Sequence, residues 1–240
     1  MKLIELTLDT PEQNVAFDEM LLERAEAEPH EDREALRIWE SPSEVVVIGR
    51  SSKIGVEAQV ERCRAEGVPV LRRASGGAAI VAGPGCLMYA VVLDVQRRPE
   101  LGQISAVHEF VLTRVAAAVA RSVPGVLIRG TSDLALGDVK FSGNSMRFRR
   151  THVLYHGTLL YNFPLERVSV LLGTPPRQPE YRRGREHRAF IGNLPTTREA
   201  LREGLIAEWQ AEEPLEDWPR AALDQLVAEK YSDPAWNERY

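Results

Sequence analysis

The stretch LRRASGGAAIVAGPG, from Leu71 to Gly85, places two arginines, a serine and a glycine pair directly after the apolar run Val68 to Leu71. Residues with little or no side chain let backbone amides approach an anion closely, and a neighbouring arginine supplies a cation. The stretch lacks both the Gly-Lys-Ser/Thr ending of a Walker A loop and the Gly-x-Gly-x-x-Gly spacing of a dinucleotide site. It indicates an anion-binding bend, with a simple turn as the alternative.

Strand-like and helical segments alternate irregularly on both sides of this bend. KLIELTL, LRIWE, VVVIG, CLMYAVVL and HVLYHGTLLYNF are typical of strands, and several of them follow one another without a helix between. Helical periodicity predicts helices from Thr10 to about Glu28, from Ser105 to Ser122, from near Thr197, and from about Pro219 to Lys230. This order favours an α+β fold, with a central, largely antiparallel or mixed sheet flanked by helices. No linker divides residues 1–240, so we expect a single domain without an accessory domain.

The composition excludes several classes of protein. Among 240 residues, 44% are hydrophobic and 27% are charged, which is typical of a compact protein. No apolar run approaches the ~20 residues of a membrane span, and the N-terminus lacks the apolar region of a signal peptide, so we expect a cytoplasmic protein without membrane contacts. The net charge of −5 argues against nucleic acid as a partner. Cys63 and Cys86 are too few for a structural metal site or a disulfide framework, and we expect reduced thiols.

Two basic clusters stand out against the acidic total charge. They are MRFRR, from Met146 to Arg150, and YRRGREHR, from Tyr181 to Arg188. Each is either a solvated surface or a docking site for an acidic partner or a phosphate. The second cluster belongs to the long segment GTPPRQPEYRRGREHR, Gly173 to Arg188, which we interpret as an ordered functional loop or lid.

Two further segments carry candidate binding residues. Asp133 and Lys140 fall on strands joined by a tight turn, so a hairpin can bring both side chains toward one pocket, where the lysine could stabilise developing negative charge. The alternative is a surface lysine in a hairpin. In the strand YHGTLL, His156 and Gly157 are unusual because glycine weakens a strand and often marks close approach of a ligand. A buried structural histidine is the alternative.

In combination and in this order, these segments resemble the lipoate-protein ligase family, which includes lipoyl and octanoyl transferases and is related to biotin ligases. The resemblance runs through NVAFDEMLL, LRIWESPSEVVVIGR, RRASGGAAIV, SDLALGDVKFSGNSMR and HGTLL to LVAEKYSDPAWNERY, and so covers nearly the whole chain. It implies a fold like that of biotin ligases and class II aminoacyl-tRNA synthetases. It also implies a two-step reaction, in which lipoate or octanoate and Mg²⁺-ATP give acyl-AMP, and a carrier lysine then displaces AMP.

The resemblance also assigns roles to residues. Lys140 matches the lysine that contacts the mixed anhydride, and Asp133 matches an acidic residue of the nucleotide-contacting motif, with Ser142, Gly143 and Asn144 in the adjoining element. His156 and Gly157 match the strand that lines the acyl pocket. The segment that wraps the acyl and phosphate groups corresponds to Arg72, Arg73, Ser75, Gly76 and Gly77.

The partners implied are lipoyl domains of 2-oxoacid dehydrogenase E2 subunits or carriers like the glycine cleavage H protein, which are typically acidic. Arg149, Arg150, Arg182 and Arg183 are therefore candidate docking residues. The chain stops where many family members continue into an accessory domain, so we expect that it either acts without one or receives it from a separate polypeptide. A transferase is the rival activity, but the loop LIRGTSDLAL lacks the cysteine that transferases carry there. An inactive acyl- or nucleotide-binding homologue is the third interpretation.

Overall fold

The computed structural model describes residues 1–28, 33–176 and 178–240. Within them, the strands are β1 (Lys2–Glu5), β2 (Ala35–Glu40), β3 (Val45–Ile48), β4 (Val70–Arg72), β5 (Ile80–Ala82), β6 (Cys86–Asp94), β7 (Val126–Arg129), β8 (Asp133–Leu136), β9 (Val139–Phe148), β10 (His152–Leu160) and β11 (Glu213–Pro214).

The helices of the same residues vary widely in length. They are α1 (Pro11–Ala27), α2 (Ile54–Glu57), α3 (Val60–Ala65), α4 (Ile104–Ala120), α5 (Glu166–Leu171), α6 (His187–Phe190), α7 (Arg198–Trp209), α8 (Arg220–Leu226) and α9 (Pro234–Asn237). Short 3₁₀ turns occur at Pro99–Leu101 and Glu180–Arg182, and a π-helical turn at Val227–Tyr231 continues α8. No helix in the described ranges is long and apolar enough to span a membrane.

A large mixed sheet forms the centre of the fold. Its strand order is β11-β1-β2-β6-β10-β9-β8-β7, and β1 runs parallel to both of its neighbours. The other neighbours pair antiparallel, from β2 through to β7. The predicted α+β class with a largely antiparallel sheet is therefore confirmed. A smaller sheet of order β4-β3-β5, which the sequence pattern did not separate from the large one, lies beside it.

Side chains of the central strand β6 alternate between two apolar cores. Met88, Ala90 and Val92 pack with α1, α8 and the smaller sheet, whereas Leu87, Tyr89 and Val91 pack with α4 and α7 on the opposite face. A strand with both faces covered has no solvent-facing side, which explains why CLMYAVVL is almost continuously apolar. The large sheet is thus enclosed between two layers.

Local signals position helix α1 against the sheet. The hydroxyl of Thr10 accepts from the amide of Gln13, the Gln13 side chain accepts from the Thr10 amide, and Pro11 opens the helix. The segment after Gly55 forms two short helices, α2 and α3, because Ala58 between them is extended. Helix α1 contacts β6 and β10, which brings its polar inner face to the site described next.

Candidate functional site

A cavity of about 410 Å³ lies between the smaller sheet and the large sheet. Its wall is formed by α1, the bend between β4 and β5, strands β9 and β10, and the segment from Gly173 to Phe190. The cavity has an apolar end and a polar end. The apolar lining residues are Val15, Trp39, Val47, Ile80 and Met88. The fold alone brings Trp39 of strand β2 and Val15 of helix α1 to the same place.

Arg73 organises the glycine-rich bend from inside. Its guanidinium donates to the carbonyls of Val47, Gly76 and Ala78 and to the Ser75 hydroxyl, and burial lowers the pKa of this group to about 10. The group is still cationic at neutral pH. The bend is closed by Gly77, whose φ of 86° is a conformation that L side chains rarely adopt.

The bend leaves backbone amides at the cavity without a protein acceptor among the described residues. Gly77 and Ala78 line the cavity, and within the described ranges their backbone N–H groups donate to no protein acceptor. The next amide, that of Ala79, is held by the Glu57 carboxylate. Free amides beside a buried cation form the arrangement expected of an anion-binding bend.

A chain of hydrogen bonds connects this bend to helix α1. The Ser75 hydroxyl lies 2.6 Å from His156 Nε2, and His156 Nδ1 donates to Asp18 over 2.9 Å. The other Asp18 oxygen accepts from Arg37, which is completely buried. Nδ1 carries the proton that it donates to the carboxylate, so in the tautomer with one N–H group Nε2 accepts from the Ser75 hydroxyl. Asp18 and Arg37 were not predicted from sequence, although a charged pair within the helix and strand patterns was a signal.

Arg72 lies outside the cavity, which corrects the expectation that it contacts acyl or phosphate groups. Its side chain is fully buried and donates to backbone carbonyls of Gly49, Ser52, Trp236 and Asn237. Neighbouring residues of an extended segment point to opposite sides, so Arg72 and Arg73 cannot both face one pocket. Arg72 therefore fastens the C-terminal residues beneath the bend.

Lys140 and Asp133 do come together at the polar end of the cavity. The Lys140 ammonium lies 2.7 Å from Asp133, and the second oxygen of that carboxylate accepts from the Tyr181 hydroxyl over 2.8 Å. Burial and the adjacent Asp133 charge raise the pKa of Tyr181, so the hydroxyl stays protonated and donates. This contact attaches the segment from Gly173 to Phe190 to the β8–β9 hairpin. The register shift between Leu134 and Ala135 re-aims the hairpin at this point.

Strands β9 and β10 cross the floor of the cavity with small polar residues. Asn144 donates to the Ser132 carbonyl and to the Ser142 hydroxyl, and it accepts from Tyr89. A Cβ at Gly157 would overlap the Asn144 amide, so this strand position requires glycine. Gly143, Asn144, His156 and Gly157 all line the cavity, whereas Ser75 and Gly76 do not, and Ser142 lines a smaller space that adjoins it.

The four predicted docking arginines occupy different environments. Arg182 is only 4% exposed, lines the cavity and lies 4.9 Å over the Phe190 ring, so it is not a surface residue. Arg149 pairs with Glu23, and the Arg150 side chain is 81% exposed. Arg183 is exposed at the end of the 3₁₀ turn. Arg177, in the same loop, lies outside the described residues.

Both cysteines are buried and lie outside the cavity lining. Burial raises the pKa of the Cys86 thiol well above its usual range, and the neighbouring Glu40 adds to the effect. The sulfur of Cys63 faces the Leu171 carbonyl. In the described part of the chain, no group of three or more His, Cys, Asp or Glu side chains could hold a metal ion.

Sequence comparison relates the chain to known enzymes. Residues 10–201 match the family model of the lipoyl protein ligase A/B catalytic domain. A candidate lipoate-protein ligase A of Aeropyrum pernix is 30% identical over 223 residues, which is 93% of this chain and 80% of that protein. The lipoate-protein ligase A of Psychrobacter cryohalolentis is 24% identical over 194 residues, or 81% of this chain and 53% of that protein. The chain thus spans about half the length of the second relative.

Three solved structures share the fold. One is the bipartite lipoate protein ligase of Thermoplasma acidophilum, from a structural analysis that included its E2 lipoyl domain. Its TM-score is 0.80 at 20% identity, and the match covers 99% of this chain and 96% of the Thermoplasma chain. A candidate ligase from the same organism with bound lipoic acid also has a TM-score of 0.80 at 20% identity, over 99% of both chains. A lipoate-protein ligase A bound with ATP has a TM-score of 0.80 at 19% identity, again over 99% of both chains.

Proposed function

Because this chain belongs to the family of lipoyl protein ligase A/B catalytic domains, we propose that it activates lipoate or octanoate with ATP and transfers the acyl group to a carrier lysine. The observation that carries the proposal is a single cavity that joins an apolar end at Trp39 and Met88 to a cationic end at Lys140 and Arg182. An amphipathic acid and a nucleotide need those two environments within reach of each other.

The first step needs positioning and charge stabilisation. A carboxylate oxygen of the acid attacks the α-phosphorus of ATP, the bond to the β-phosphate oxygen breaks, and pyrophosphate leaves. Lys140 and the free amides of Gly77 and Ala78 supply a cation and donors for the negative charge that develops on the phosphoryl oxygens. The acyl tail lies along Val15, Trp39 and Met88 and excludes water from the reacting carboxylate. No protein nucleophile takes part in this step.

The polar end of the cavity is where the phosphate groups and any bound metal ion would lie. Mg²⁺, when bound with ATP, neutralises charge on the leaving pyrophosphate. Asp133 is the carboxylate on this wall, but it already accepts from Lys140 and Tyr181, and no cluster of metal ligands lies in the described ranges. The donor set therefore fits a metal carried mainly by the nucleotide phosphates. Arg182, which faces the cavity, adds a cation on the side of the loop from Gly173 to Phe190.

The second step is attack by a carrier lysine on the acyl carbonyl, with AMP as the leaving group. Lipoyl domains of 2-oxoacid dehydrogenase E2 subunits, or carriers like the glycine cleavage H protein, present such a lysine, and the Thermoplasma study pairs a bipartite ligase with its E2 lipoyl domain. Arg150 and Arg183 offer exposed positive charge for an acidic carrier.

Nothing in the geometry favours a cysteine-dependent transferase. A thioester intermediate needs a thiolate that reaches the acyl carbonyl. Cys86 is fully buried, its pKa is raised by burial, and neither cysteine lines the cavity. The ATP-dependent reaction is therefore the better match to the residues in place.

Acyl-adenylate formation is the direct test. The purified chain is incubated with lipoate and Mg²⁺-ATP but no carrier, and released pyrophosphate and bound lipoyl-AMP are measured by coupled assay and mass spectrometry. We expect pyrophosphate release that requires lipoate. Pyrophosphate release that is equally fast without lipoate, or no lipoyl-AMP at any enzyme concentration, would contradict the proposal.

A further inference from the structure

A smaller chamber of about 110 Å³ continues from the polar end of the cavity beyond Lys140. It shares Lys140, Arg182 and Phe190 with the main cavity, but none of the residues of the apolar end except Ile80. Its remaining wall is largely apolar. The chamber-only lining residues include Leu160, Val168, Leu172, His187 and Ile191.

The position of the chamber determines what it can hold. If the α-phosphate lies at Lys140, the base of the same nucleotide must lie within one ribose of that residue, and the chamber is the enclosed space that adjoins it. Mostly apolar walls with polar side chains at a few points, among them Ser142, Thr158 and His187, suit a flat heterocycle, whose faces are apolar and whose rim carries donors and acceptors. The acyl tail has its own apolar slot at Trp39, outside the chamber.

His187, the first residue of α6, is the titratable side chain that belongs to this chamber and not to the main cavity. Its Nε2 lies 3.2 Å from the Gly173 carbonyl, which can only accept, so Nε2 carries the proton. In the neutral ring, Nδ1 is then an acceptor with no hydrogen-bond partner in the described part of the chain. Burial lowers the pKa of His187, and Arg182 and Lys140 lower it further, which keeps the ring neutral.

We propose that His187 is a specificity-determining residue whose Nδ1 accepts a hydrogen bond from the 6-amino group of a purine base. The inference rests on the proposed function and adds to it the group that selects the nucleotide. A 6-amino group donates to this lone pair, whereas the 6-oxo group of hypoxanthine or guanine would face it with a second lone pair. A buried acceptor left without a donor is costly, so the two kinds of base differ in transition-state binding.

The test compares ATP with inosine triphosphate, which carries oxygen in place of the 6-amino group. Lipoate-dependent pyrophosphate release is measured without carrier for the wild type, H187A, H187Q and R188A. The Arg188 side chain is 80% exposed, so R188A is the matched control on the same helix. Equilibrium binding of AMP and inosine monophosphate, with thermal melting of each variant, separates base recognition from loss of the fold.

We expect the wild type and R188A to prefer ATP by at least about tenfold in kcat/KM, as one unpaired buried acceptor predicts. In H187A the kcat/KM values with ATP and with inosine triphosphate differ by no more than about threefold. In H187Q the rotatable amide can pair with either base, so kcat/KM with inosine triphosphate rises while kcat/KM with ATP is unchanged. A preference that survives in both His187 variants, or a wild type that does not discriminate, overturns the inference but leaves the proposed function standing. No lipoate-dependent pyrophosphate release with either nucleotide overturns both.

Discussion

At the scale of single residues, Lys140 is the group on which the proposed chemistry depends most. Its ammonium lies at the polar end of the cavity and is held 2.7 Å from Asp133. We expect K140M to lower the rate of lipoyl-AMP formation by about 100-fold or more, because a cation directed at developing charge is lost. Melting temperature should change little, since the side chain is partly exposed. K53M, which removes an exposed lysine, is the control. Equal rates in K140M and wild type would contradict the role of Lys140.

Gly157 affects the cavity floor sterically, because the absence of a side chain there leaves room for Asn144. A Cβ there would overlap the Asn144 amide and come within 3.0 Å of the Tyr89 ring. We expect G157A to destabilise the protein by about 1–3 kcal/mol, the usual cost of overpacking, and to impair lipoyl-AMP formation by displacing Asn144. Urea denaturation and pyrophosphate release measure the two effects. G55A, where no atom lies within 4 Å, should match the wild type; equal behaviour of both variants would refute the steric argument.

Residue types and their order along the chain predicted Arg73, Lys140, Asn144 and His156 as binding or catalytic residues, and all four line the cavity. The sequence did not show which of the adjacent residues Arg72 and Arg73 faces the cavity. Alternate side chains of an extended segment point to opposite sides, and only the packing around the segment decides which side borders the cavity. Contacts between distant segments were also beyond the sequence pattern. The link from Asp18 to His156 joins residues 138 positions apart and exists only after α1 packs on β10.

At the scale of elements, the loop from Gly173 to Phe190 presents one arginine to the cavity and the next one to solvent. Arg182 faces inward and Arg183 faces solvent, at a left-handed position with a φ of 51°. We expect R183E to raise KM for an acidic lipoyl-domain carrier by about fivefold and to flatten its salt dependence, while carrier-free pyrophosphate release is unchanged. Intact-mass kinetics of carrier modification measure this effect.

The matched variant for this loop is R182M, which removes the inward charge. It should slow pyrophosphate release itself, since Arg182 lines the cavity. If R183E and R182M lose carrier-free pyrophosphate release to the same extent, the assignment of separate inner and outer roles is wrong.

Element prediction was most accurate where one local signal was sufficient. The capping box fixed the start of α1, and helical spacing of apolar residues placed α4 close to its observed range of Ile104–Ala120. The tetrapeptide SPSE separates β2 from β3, and the β-branched run after it forms β3. Assignment of β3, β4 and β5 to a second sheet was missed, because strand pairing is decided by long-range packing.

At the scale of the whole molecule, carboxylates with depressed pKa values set the acid limit of stability. Burial raises the pKa of Glu26, but hydrogen bonds from the Thr151 amide and hydroxyl and the His152 amide outweigh it and lower the pKa overall. Burial also raises the pKa of Asp18, but the interactions of its carboxylate with Arg37 and His156 outweigh this effect and lower the pKa overall. Stabilisation from both groups is complete above their unfolded pKa values near 4 and is lost as pH falls through the folded values.

We therefore expect the urea midpoint to hold steady from about pH 7 to 5 and to fall below about pH 4. E26Q removes the Glu26 contribution and should show a shallower fall over the acid range than the wild type. Identical acid profiles for E26Q and wild type would show that Glu26 does not contribute, whatever its hydrogen bonds.

The central claim is that this chain joins an acyl group to a carrier lysine at the expense of ATP, without a cysteine intermediate. The most direct measurement is the intact mass of an acceptor lipoyl domain after incubation with the protein in two tubes. One tube holds free lipoate with Mg²⁺-ATP, and the other holds octanoyl-loaded carrier protein without ATP. We predict modification in the first tube only, unchanged in C86S. Modification in the second tube only, and its loss in C86S, would contradict the account and identify a transferase.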